Sequence, residues 1–321
     1  MKQIFLFTLL AALAGCHQDP AVPGSIIPAT CQLGMIETIN QSDLAIGNTS
    51  VQEIRYNSFG SVVAESFLPK QGASASTGWT AKYTYSDDKF LTAYEQTGGP
   101  GIRETYQYDG TNRLTKIQRT ALGGNQTIDY AYSGDNVSEY TVKNSAGVTT
   151  ARYTFATGGT LTGVTFSNGS ATVSGGKISN RVYSDGASCT YQFDNQGRMT
   201  GLDSTRGPVK HQFIYTYDTR DYAPNASLRQ RGWPNPDLDL GGINPVSALT
   251  AQATVGVRLD QLGNSRLAGN LASVTERLFT NGVAGAPVTT TYQYAYNSQN
   301  FPRGFSRSDG FRTKYYYTNC P

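Results

Sequence analysis

Histidine sets the first limit on the chemistry open to this chain. The sequence contains two, His17 and His211. His17 adjoins Cys16 at the start of a proline-rich stretch, so a site built on several histidines is excluded. His211 opens the strand-like run QFIYTYD and reads as a packed or exposed strand residue. No G-x-S-x-G stretch accompanies it that would support a serine nucleophile. Asp109, Asp194 and Asp218 are the carboxylates that could be paired for glycoside hydrolysis, which needs two acids facing one bond. All three follow an aromatic-x-aromatic triplet, and aspartate at a fixed place in a repeat is explained by turn capping. The run Asp237 to Gly242 hints at a calcium loop, but the twelfth position is Ala248 where a closing carboxylate is required. No metal and no cofactor is therefore expected. Trp79 and Trp233, with the many tyrosines, could stack on a sugar or clasp a peptide. For the repeated tyrosines, packing of a buried sheet face accounts for the same residues.

The elements that would position these groups follow from spacing. Paired aromatics recur as Tyr83/Tyr85, Tyr106/Tyr108, Tyr130/Tyr132, Tyr153/Phe155, Tyr191/Phe193, Tyr215/Tyr217 and Tyr294/Tyr296. Their regular return makes the body a repeat. Residues two apart share one face of a strand. A turn and an apolar residue follow in most copies, so each unit reads as strand, tight turn, strand. Asn168-Gly169, Asp185-Gly186, Asn281-Gly282 and Asp309-Gly310 mark further hairpins. One detail resists a plain hairpin. Leu91/Tyr94, Leu114/Ile117, Val137/Tyr140, Leu161/Val164 and Met199/Leu202 are three apart, which strict alternation would send to opposite faces. A bulge after the turn, a plug at the hairpin end, or a sheet buried on both faces would each resolve it. The expected fold is all-β: an antiparallel meander of fourteen to eighteen strands, strongly curled or closed into a barrel-like shell.

The ends bound the setting. Residues 1–15 begin with one lysine and an apolar run from Ile4 to Leu13, about 15 Å as a helix and too short to cross a bilayer. They read as a signal peptide. Residues 16–30 form a proline-rich tether. Residues 31–321 form a single domain, interrupted by an irregular insertion at 218–250 in which Asn244-Pro245 could start a short helix. The formal net charge of +3 gives no reason to expect nucleic acid. Cys31 and Cys320 flank the body, and a disulfide between them would tie the first strand to the last. Cys189 pairing with either of them, or three free thiols, are the alternatives.

Two resemblances add to this reading. Leu13-Ala14-Gly15-Cys16 resembles the lipobox of bacterial lipoproteins, which implies lipid attachment at Cys16 and anchorage by several acyl chains. YQYDGTNRLTKI (106–117) and YQFDNQGRMTGL (191–202) resemble the YD repeat of Rhs-type proteins. The chain is similar to small Gram-negative lipoproteins carrying degenerate copies of it on a curled, porin-like sheet. That resemblance concerns architecture. The expected protein is lipid-anchored in the cell envelope, in the outer membrane. Its role is non-catalytic, binding or structural, and its partners are the membrane through the lipid and a glycan or envelope protein. A carbohydrate hydrolase using loop carboxylates and a membrane-spanning barrel are the rivals.

Overall fold

The computed structural model describes residues 32–39, 49–57, 61–69, 78–87, 90–99, 101–121, 124–157, 159–195, 198–218, 270–298 and 302–318. Among these residues there is no helix. The first strand is β1 (Gln32–Ile39). Hairpins follow: β2 (Thr49–Tyr56) with β3 (Val62–Pro69), β4 (Trp79–Tyr85) with β5 (Leu91–Thr97), and β6 (Arg103–Tyr108) with β7 (Leu114–Thr120). Next come β8 (Gln126–Ser133) with β9 (Asn136–Asn144), β10 (Thr149–Phe155) with β11 (Leu161–Phe166), and β12 (Gly169–Ser174) with β13 (Lys177–Tyr183). β14 (Ser188–Phe193) pairs β15 (Met199–Arg206), and β16 (Val209–Tyr217) pairs β17 (Leu271–Thr280). The two-residue β18 (Val283–Ala284) covers the end of β17. β19 (Val288–Tyr296) with β20 (Pro302–Arg307), and finally β21 (Arg312–Thr318), complete the chain.

Every neighbour in this series is paired antiparallel, with β19 rather than β18 continuing the wall from β17. β21 then pairs β1, which pairs β2, so the meander closes on itself as a barrel of twenty wall strands. The count exceeds the fourteen to eighteen expected. The additional strands include β2, β3, β12 and β13, whose hairpins lack the paired aromatics that mark the others. The Asn-Gly and Asp-Gly pairs fall at turns as expected, and Asn281 and Gly282 adopt the positive φ values (53° and 77°) that such a turn requires.

The three-residue step resolves as a bulge. In all nine hairpins the register slips by one residue just before the second aromatic or its equivalent. Tyr108 faces Leu114 and Gln107 faces Lys116, so Thr115 is the extra residue. One extra residue restores phase, and Leu114 and Ile117 both turn inward. Both are buried, as are Leu91 with Tyr94 and Met199 with Leu202. The first aromatics, Tyr83, Tyr106, Tyr153, Tyr191 and Tyr215, join them in one continuous buried lining around the wall.

The second tyrosines do something the sequence did not announce. Strands of neighbouring hairpins pair poorly near the bulges: β5 and β6, for example, pair only over Ala93–Glu95 and Arg103–Thr105. The Leu91 carbonyl lies beyond that ladder, and the Tyr108 hydroxyl donates to it at 2.8 Å. The same bond runs from Tyr56 to Leu33, Tyr85 to Val62, Tyr132 to Leu114, Tyr217 to Met199 and Tyr317 to Pro302, at 2.6–2.8 Å. Each ring fills the gap between two hairpins and its hydroxyl satisfies the carbonyl the gap would strand. Burial pushes these phenols well above their ordinary range, so they remain donors. Tyr108→Phe should cost about 1–2 kcal/mol, read as a lower midpoint in urea unfolding with an unchanged m-value.

Candidate functional site

The two rims of the barrel are built differently. Turns that follow β2, β4, β6, β8, β10, β12, β14 and β16, and the turn from β19 to β20, lie on one rim beside the bulges. This bulge rim also carries both ends of the described chain, because Gln32 faces Thr318. The opposite rim carries the Asn168-Gly169, Asp185-Gly186, Asn281-Gly282 and Asp309-Gly310 turns.

On the bulge rim the aspartates act as turn clamps. Asp109 donates its amide to the Arg113 carbonyl, and its Oδ1 accepts the Thr111 and Arg113 amides. Arg113 Nε donates to Asp109 Oδ2 at 2.8 Å while Nη1 reaches Gly134 O in the next turn. The guanidinium lies over the Tyr132 ring, 4.7 Å from its centroid. Asp194 and Arg198 repeat this: Nε donates to Oδ2 at 2.6 Å, Nη1 reaches Asp218 O, and the ring beneath is Tyr217. Aspartate thus fixes its own turn, and arginine ties that turn to its neighbour. The Arg113 amide, then the Thr111 hydroxyl, hold the Asp109 carboxyl well below the usual carboxylate range. A folded-state value below the unfolded one adds stability above about pH 4, and that stability fades as pH falls toward the folded value. The difference in thermal midpoint between the native chain and Asp109→Asn should therefore narrow on acidification from about pH 5 to pH 2.

Asp218 is the exception that locates the insertion. Its amide donates to the Asn270 carbonyl at 2.8 Å, as Asp109 does to Arg113 at 2.9 Å. Tyr217 faces Leu271 across a bulge at Ala272, as Tyr108 faces Leu114. Residues 219–269 therefore stand where most other units have a three-residue turn and two have a two-residue one. Asn270 replaces the arginine, donating its amide to Asp218 Oδ1 at 2.6 Å and its side-chain nitrogen to both carboxylate oxygens. Tyr296, the second tyrosine of its pair, turns its hydroxyl to Asp218 Oδ2.

The inner wall carries its own polar groups. Glu65 accepts the Tyr83 hydroxyl at 2.9 Å and Glu104 accepts that of Tyr106 at 2.7 Å, both in fully buried surroundings. They stand three strands apart, about 14 Å along the wall, beyond the roughly 5–9.5 Å that glycosidic cleavage uses. A second group spans β14 to β17. Ser204 faces His211 in register, and His211 Nδ1 lies 3.2 Å from Glu276 Oε1. Serine, histidine and glutamate on consecutive strands are the residue types of a hydrolase triad. Here Ser204 is 1% exposed and takes a 3.6 Å hydrogen bond from Cys189 Sγ, so the hydroxyl is sealed from substrate. Burial pushes the Cys189 thiol up, which suits an inert core residue. The sequence concealed this group because Glu276 arrives on a strand beyond the insertion.

The expected site residues are not brought together. Trp79 stacks on Phe67, with ring centroids 6.0 Å apart, at the rim opposite the insertion. Trp233, Asp237, Asp239, the helix anticipated at Asn244 and the cysteines Cys16, Cys31 and Cys320 lie outside the described residues. Among the described residues no three His, Cys, Asp or Glu side chains cluster as metal ligands.

The described residues thus define a closed antiparallel β-barrel built from bulged hairpins. No family model matches the chain, and no curated protein matches it. Among solved structures it is similar to a porin-like protein from Bacteroides uniformis, at 14% identity and a TM-score of 0.43, over 89% of this chain and 96% of that one. A porin-like protein from Bacteroides vulgatus gives 12% identity and 0.39, over 89% and 98%. The TcdB2-TccC3-Cdc42 structure gives 11% and 0.29, over 81% of this chain and 14% of that one. These likenesses concern the fold alone.

Proposed function

We propose that this chain is a lipid-anchored cell-envelope protein whose barrel stands in water and has a binding or structural role without catalysis. The observation that carries the reading is the orientation of the wall. Apolar and tyrosine side chains are buried inside, while most outward alternates are polar and many are joined across strands by ion pairs; Leu68, Val182, Ile214, Leu278 and Tyr316 are scattered exceptions that form no band. Asp129 meets Lys143 at 2.7 Å and Lys116 at 3.6 Å, and Arg103 meets Glu95. A membrane-spanning barrel needs the reverse, an apolar outer band about 25 Å tall. Attachment is then left to lipid at Cys16, which joins the wall on the bulge rim through residues 17–31.

Carbonate extraction of membranes tests this. The native chain should stay with the membrane and Cys16→Ser should be released. Retention of Cys16→Ser would favour a spanning barrel instead. The hydrolase reading is tested with a fluorophosphonate probe. Labelling of Ser204 that is lost in His211→Ala would overturn the non-catalytic role, and absence of labelling is the result expected.

A further inference from the structure

The seam between β21 and β1 is a tenth copy of the repeat, cut at its turn. Tyr315 and Tyr317 form its aromatic pair, and Tyr317 faces Leu33. The register slips between Leu33 and Met35, so Gly34 is the extra residue, and Tyr315 faces Ile36. Leu33 and Ile36 are three apart, as Leu114 and Ile117 are. The Tyr317 hydroxyl caps the Pro302 carbonyl like every other cap. Thr318 faces Gln32, the places that Asp109 and Arg113 take in an intact unit. In that unit three residues, 110–112, connect the two halves. Here the connection is missing, and the chain on either side of the cut reads Thr318-Asn319-Cys320 and Cys31-Gln32. Counted onto the intact turn, Cys320 and Cys31 fall on its second and third positions.

We infer that a disulfide between Cys31 and Cys320 stands in for the missing turn of the tenth unit and closes the barrel covalently. Neighbouring turn positions lie about 3.8 Å apart when joined by a peptide, and a disulfide spans Cα separations of about 4.4–6.8 Å. Gln32 and Thr318 face each other in register, with Cys31 one residue before the first and Cys320 two residues after the second, so the chain can bring the two thiols within that span. Cys189 is no competitor: it is buried in the inner wall on β14, with β15 to β20 between it and the seam on the shorter way round. In forming the bond the two thiols lose two protons and two electrons. An oxidised dithiol–disulfide carrier of the exported compartment takes the electrons and is reduced to its dithiol. All other wall contacts join strands consecutive along the chain or, for β17 and β19, separated only by the two-residue β18, whereas the seam joins its far ends, so the bond acts where closure costs most chain entropy.

The test is peptide mapping of the full chain, purified from the envelope with free thiols alkylated before digestion. A Cys31–Cys320 linked peptide is expected, with Cys189 alkylated only after denaturation. Cys31→Ser/Cys320→Ser should lower the thermal midpoint by roughly 5–10 °C, and reduction should lower the native chain equally. Cys189→Ser should keep the linked peptide. Free Cys31 and Cys320, or either bonded to Cys189, would overturn the inference. None of these results depends on lipid at Cys16, so carbonate extraction can fail while the seam bond stands.

Discussion

Ile117→Asp should abolish the barrel, while Gln118→Asp, one residue along, should change stability by less than about 0.5 kcal/mol. Ile117 is fully buried in the middle of the inner wall, opposite Tyr106 on one side and Ile128 on the other. A carboxylate placed there would lose its hydration on a face where the neighbouring Arg119 is already taken by Glu104 at 3.7 Å, and would cost more than about 4 kcal/mol, a large part of the 5–15 kcal/mol that holds an ordinary domain. Gln118 points outward into solvent. Circular dichroism and urea unfolding of the two variants report the difference.

Replacing residues 219–269 with Gly-Thr-Asn, the turn of the β6–β7 unit, and Asn270 with Arg should leave a folded barrel of higher stability. The hairpin already closes beneath the insertion through Asp218, and Asp218 to Leu271 would then read as Asp109 to Leu114 does. Shortening the closed connection to three residues reduces its entropy cost by about 2.5 kcal/mol. Chemical unfolding measures the gain. A chain that no longer folds would mean that the insertion supplies contacts the wall requires. Asp218→Ala in the full chain should instead destabilise by about 2–3 kcal/mol, since it strands the Asn270 amide and the Tyr296 hydroxyl at once.

Much of this architecture was legible in the residues. The paired aromatics named the strands, and Leu114 with Ile117 required the bulge as one of three readings. Closure was only one of two outcomes, because curvature is set by inter-strand geometry that no single hairpin states. The unit built on Ile54/Tyr56 escaped notice, and the strand of Ala171/Val173 was legible only as a hairpin at Asn168-Gly169 and not as a copy of the repeat, because one or both aromatics are missing, although the pleat needs only a side chain that fits. Leu271 escaped for another reason: its partner Tyr217 lies across the whole insertion, and pairing at that distance leaves no local pattern. Asp109 and Asp194 were read correctly as turn residues. Their arginines were not seen as ties between units, because the bonds from Arg113 to Gly134 and from Arg198 to Asp218 join turns about twenty residues apart. The Ser204, His211 and Glu276 group likewise becomes visible only once β15, β16 and β17 lie side by side.

The cut tenth unit has a consequence for how such a chain can change over generations. Each hairpin brings its own bulge and turn, so gaining or losing one whole hairpin alters the girth of the barrel by two strands. The two halves of the cut unit still arrive on the same rim and meet. Loss of a single strand reverses the direction of everything after it, leaving β21 parallel to β1, where the antiparallel bulged register of the seam cannot form. Growth in this lineage should therefore proceed by even steps, and the seam between first and last strand is the point at which that parity is enforced.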